Sequence, residues 1–80
     1  MILAILDDLL FTSKIRATAA HVGATVSFAR SSAAALEAMR ARTPALVIVD
    51  LNNPRTDPIG TIAAMKADPA LAAIPTLGYV

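Results

Sequence analysis

Apolar residues fall along this chain in two alternating patterns. Ile2 to Leu6 and Leu46 to Val49 are uninterrupted apolar runs, the pattern of strands buried on both faces of a parallel sheet. Between them, Phe11, Ile15, Ala19 and Val22 recur at i, i+4, i+8 and i+11. That spacing is one face of a helix over about Leu9 to Val22, with Gly23 where a left-handed cap residue belongs. Thr25 to Phe28 alternates and is β-branched enough for a second, more exposed strand. Ser31 or Ser32 offers an N-cap for a helix over Ala33 to Arg42, with Leu36 and Met39 as its apolar stripe and Arg40 and Arg42 at the end that favours cations. Pro44 blocks its continuation.

After Leu46 to Val49 the pattern stops abruptly at Asp50. A loop from Leu51 to Thr56 leads to Asp57, an N-cap for a helix with Pro58 at its first position. Ile59, Ile62 and Ala63 are predicted to face inward, and Asp68-Pro69 ends the helix. Ile74-Pro75 opens a last strand, Thr76 to Val80. The order β-α-β-α-β-α-β with short connections predicts one α/β domain over residues 1–80, an open, doubly wound parallel sheet with helices on both faces. A chain that closes on a strand suggests a C-terminally truncated five-stranded fold.

Composition narrows the function classes. The 80 residues are 56% hydrophobic and 16% charged, which excludes a disordered tail. Eighteen are Ala and only Phe11, Phe28 and Tyr79 are aromatic, so the core is built largely from small side chains. The formal charge of +1 comes from scattered basic residues, so no stripe suits nucleic acid. There is no Cys, hence no disulfide framework or thiol chemistry. The first apolar run lacks a basic flank and ends in two aspartates, unlike a signal peptide, and no apolar stretch is long enough to span a membrane. A cytoplasmic protein is expected.

The candidate chemistry is acidic. Asp7 and Asp8 follow the first strand and Asp50 ends the third. In a doubly wound sheet these strands are neighbours, and ligands bind beyond their carboxyl ends where the strand order reverses. Three carboxylates there repel one another and favour a cation. A hard divalent ion that retains several waters, Mg²⁺, suits a few carboxylate oxygens. His21, the only histidine, lacks companions for metal or phosphotransfer chemistry and reads as a residue of a helix C-terminus. The three glycines form no phosphate-binding loop.

Ile-Leu-Asp-Asp at residues 5–8, Val-Ile-Val-Asp-Leu-Asn-Asn-Pro at 47–54, Asp57, and Ala-Asp-Pro-Ala-Leu-Ala-Ala-Ile-Pro at 67–75 together resemble the receiver domains of bacterial two-component response regulators. The resemblance runs the length of the chain. It implies a flavodoxin-like sheet of order 2-1-3-4 whose fifth βα unit is missing. It also implies Asp50 as phosphoacceptor, with Mg²⁺ held by Asp7, Asp8, Asp50 and the backbone carbonyl of Asn52. The phosphoryl donor would be a sensor histidine kinase or phosphotransfer protein, and such a domain is not an enzyme in the ordinary sense. Two positions depart from the family: Val80 stands at the hydroxyl-bearing switch position, and Pro58 stands where Gly is frequent. The family's Lys after a fifth strand has no counterpart within the 80 residues. The alternative is a pseudo-receiver, an interaction module of the same fold that is not phosphorylated. An aspartate-nucleophile hydrolase is weaker, because Asn52 stands where its second acid belongs. The exposed Thr76–Val80 edge is expected either to support homo-oligomers or to leave the fold only marginally stable.

Overall fold

A computed structural model of the chain describes all 80 residues. Four parallel strands, β1 (Ile2–Ile5), β2 (Val26–Ala29), β3 (Leu46–Asp50) and β4 (Thr76–Tyr79), lie in the order β2-β1-β3-β4. The crossovers run through α1 (Leu9–His21), α2 (Ser32–Ala41) and α3 (Pro58–Ala67). This is the order predicted, and β1 and β3 are central because their apolar runs must be covered on both faces.

Strand alternation divides the interior. Leu3, Ile5, Val47 and Val49 point to one face and meet Ala35 and Met39 of α2, Met65 of α3, and Leu71 and Ile74 of the turn before β4. These residues are the buried core. Ile2, Val26 and Ile48 point the other way, toward α1. On that side Phe11, Ile15, Ala19 and Val22 line an open apolar groove of about 280 Å³. The predicted face of α1 is thus the face turned to the sheet, yet only Ala19 on it is buried. One helix on that layer cannot close over four strands.

Local signals acted as expected at most boundaries. Ser31 caps α2 by accepting from the N–H of Ala34 at 3.1 Å. Gly23 has φ +75° just beyond the end of α1, a conformation glycine adopts without steric cost. Asp57 caps α3 ahead of Pro58, itself in the left-handed region at φ 45°, which Asp tolerates better than most residues.

Two expectations need correction. The stretch Pro54–Thr56 forms a 3₁₀ turn rather than an irregular loop. The inward face of α3 is Pro58, Thr61 and Met65, whereas Ile59 is 71% exposed, Ala63 is exposed and Ile62 is half-buried. Thr61 can be buried because its hydroxyl is satisfied. It contacts Ser32 Oγ at 2.8 Å and reaches the carbonyls of Asp57 at 2.8 Å and Thr56 at 3.2 Å. The Ser32 contact ties α3 to α2, and with Thr61 inward Ile59 lies on the exposed side of the helix.

Candidate functional site

The carboxyl ends of β1 and β3 open onto a polar cleft of about 500 Å³ lined by Asp7, Asp8, Asp50, Asn52, Asn53, Pro54 and Arg55. No lining residue is from the large apolar set, in contrast to the groove on the α1 face. The four residues singled out from sequence, Asp7, Asp8, Asp50 and Asn52, all line it. Their convergence follows from topology: β1 and β3 are hydrogen-bonded in register, Ile5 beside Val49, so the residues that follow each strand share one end of the sheet.

Each carboxylate has a protein partner. Asp8 is the N-cap of α1, its Oδ1 accepting from the N–H of Leu10 at 2.9 Å and of Phe11 at 3.2 Å. Asp50 Oδ1 accepts from the N–H of Asn52 at 2.9 Å, which turns the chain sharply after β3. Asp7 Oδ1 accepts from Asn53 Nδ2, and Asp7 Oδ2 pairs with Arg55 Nη2 at 3.3 Å. The three acids therefore share a cleft without forming a ready-made cluster of metal ligands. Their donor chemistry nevertheless fits Mg²⁺. The lining offers carboxylate and carbonyl oxygen and no soft ligand, and a cleft of this volume leaves room for the waters the ion retains. Asp7, Asp8 and Asp50 would hold the ion, with the Asn52 carbonyl beside them.

Sequence reading missed three members of this region. Asn53, treated as a turn former, is buried and organises the loop: its Oδ1 accepts from the Arg55 N–H at 3.0 Å while its Nδ2 reaches Asp7. Its backbone carbonyl also accepts from Thr56 Oγ1 at 3.0 Å. Arg55 stood out only as one of several scattered cations. Tyr79, opposite Asp50 in the β3–β4 register, stacks on Phe11 with ring centroids 4.6 Å apart. Its hydroxyl is enclosed without a hydrogen-bond partner. Burial, then the charges of Asp50 and Asp8, push the phenol up to about 12. An aromatic residue near the end of a strand was the available signal. Val80, which the resemblance aligned with the family's switch hydroxyl, lies just past β4 and is 88% exposed.

No family profile matches the sequence, and no curated protein matches it. Solved structures do match. The N-terminal domain of a response regulator receiver protein from Methanoculleus marisnigri JR1 superposes with a TM-score of 0.88 at 30% identity over 96% of this chain. A response regulator protein from Burkholderia multivorans superposes with a TM-score of 0.71 at 32% identity, again over 96% of this chain. This chain spans 63% of the first structure and 62% of the second. With the strand order 2-1-3-4, the helix placement and the acids at the ends of β1 and β3, these likenesses show that the chain has the flavodoxin-like fold of response-regulator receiver domains and is similar to them over nearly all of its length.

Proposed function

We propose that this chain is a phosphoacceptor module of two-component signalling, in which Asp50 takes a phosphoryl group from the phosphohistidine of a sensor kinase or phosphotransfer protein in the cytoplasm. The observation that carries this reading is the position of Asp50, at the carboxyl end of β3 and opening into the acidic cleft it shares with Asp7 and Asp8. A carboxylate oxygen of Asp50 attacks phosphorus, the P–N bond to the donor imidazole breaks, and the imidazole leaves with a proton from solvent. Bound Mg²⁺ supplies charge neutralisation for the phosphoryl oxygens. The chain's own part is positional: the Asn52 N–H holds one oxygen of Asp50 and leaves the other for the reaction. The product stays on the protein, so the chemistry is modification rather than turnover.

Intact mass after incubation with a small acyl phosphate and Mg²⁺ tests the proposal. One added phosphoryl group on wild type, absent in Asp50→Asn, is the expected result. No adduct on folded protein would favour the pseudo-receiver. That second reading draws on Val80, which brings no hydroxyl to the cleft, and on the engagement of all three carboxylates by protein donors.

A further inference from the structure

Both oxygens of the Asp7 carboxylate are occupied, and by residues from a single short turn. Asn53 Nδ2 donates to Oδ1 and the Arg55 guanidinium pairs with Oδ2 at 3.3 Å. Asn53 also accepts from the Arg55 backbone N–H at 3.0 Å, so one amide side chain fixes the turn that presents the guanidinium. The two ends of the ion pair differ in exposure: Asp7 is 20% exposed and Arg55 81%. Asp7 is held in place, whereas Arg55 reaches in from solvent and can swing out at little cost in desolvation.

From this geometry we propose that Arg55 is a resident counter-cation that competes with the divalent ion for Asp7 and thereby sets the metal affinity of the cleft. The inference rests on the metal reading above and concerns its regulation. With Arg55 inward, the cleft carries three carboxylates and one guanidinium, a formal charge of −3 + 1 = −2. An incoming divalent ion must displace the guanidinium from Asp7 and share the cleft with it. An exposed ion pair has a modest strength, so Arg55 lowers affinity without closing the site. A merely structural role in bracing the turn predicts the opposite sign, because a looser turn would present Asp7 and the Asn52 carbonyl less well.

The test is a Mg²⁺ titration of the full chain followed by amide resonances, including the Asn53 side-chain NH₂, which reports directly on the contact with Asp7. Four proteins are compared: wild type, Arg55→Gln, Arg55→Lys and Arg40→Gln. Arg40 pairs with Asp68 at 3.6 Å near the ends of α2 and α3, at the opposite end of the sheet, and controls for net charge. The expected result is binding tightened about two- to fivefold in Arg55→Gln, the range an exposed pair supports, with Arg55→Lys nearer wild type and Arg40→Gln unchanged. Equal or weaker binding in Arg55→Gln, or an equal gain in Arg40→Gln, overturns the inference and leaves the metal site standing. No selective shift at the cleft in any of the four overturns the metal reading and this inference with it.

Discussion

Asp8 serves two ends in this fold, and a pair of substitutions separates them. Its carboxylate caps α1 through the N–H groups of Leu10 and Phe11, at 2.9 and 3.2 Å, and it is also a proposed metal ligand. Asp8→Ala removes both functions, whereas Asp8→Ser keeps an oxygen that can cap the helix and removes the charge. Truncating such a cap costs about 1 kcal/mol. For a chain of this length the entropy of unfolding at the midpoint is roughly 0.17 kcal/mol/K, so that loss lowers Tm by about 6 °C. Asp8→Ser should fall by no more than about 2 °C. Mg²⁺ at ten times its Kd should raise the wild-type Tm by about 8 °C, from about 1.4 kcal/mol of binding linkage, and should raise either variant much less. Thermal unfolding followed by circular dichroism, with and without Mg²⁺, reads all of these. Equal losses in the Ala and Ser variants without metal would refute the capping argument. An undiminished Mg²⁺ response in both variants would remove Asp8 from the ligand set.

Other consequences are as direct. Because the Tyr79 phenol is raised from its ordinary value near 10 to about 12 in the folded state, the unfolded chain loses this proton first as pH rises. Its contribution to stability is complete below pH about 10 and is lost between about 10 and 12; Tyr79→Phe should flatten that alkaline limb in urea titrations, and an unchanged limb would exclude Tyr79 as its source. Met39 is fully buried between α2 and the sheet, so Met39→Ala should lower stability by about 2–5 kcal/mol, against a total of only about 4–12 kcal/mol for a chain of this size; a urea midpoint within error of wild type would contradict the packing described. A Cβ on Gly60 would stand 2.7 Å from Asp57 Cγ and 2.8 Å from its Oδ1, so Gly60→Ala should displace that cap and offset most of the roughly 1 kcal/mol gained in helix propensity. In an Asp57→Ala background the full gain should appear, and additive effects would disprove the clash. The outer edge of β4 has no partner strand, and Leu77 is 57% exposed beside it; light scattering should show association rising with concentration and reduced by Leu77→Lys, and a monomer at high micromolar concentration would show that the edge is tolerated.

Several features were legible without coordinates because a local rule governs each. The runs Ile2–Leu6 and Leu46–Val49 can be satisfied only in the middle of a covered sheet, and the acids that end them therefore share one edge. The Ser31-Ser32 pair, of which Ser31 is the cap, Asp57 with Pro58, and Gly23 marked helix boundaries through their own local chemistry. The parallel sheet with helices on both faces followed from alternation and the right-handed crossover, while its order 2-1-3-4 was implied by the family resemblance.

What tertiary structure decided lay between residues distant in sequence. The inward face of α3 could not be read from hydropathy, because burial of Thr61 depends on partners for its hydroxyl, among them Ser32, 29 residues away. The stacking of Phe11 from α1 on Tyr79 of the last strand, and the enclosure of the Tyr79 hydroxyl, arise only in the folded chain. Asn53 and Arg55 become part of the acidic cleft only because the turn after β3 folds back to Asp7 across a separation of 46 residues from Asn53. Periodicity records which residues leave water. The partners that neutralise a buried hydroxyl or a carboxylate are set by how the strands and turns meet in space.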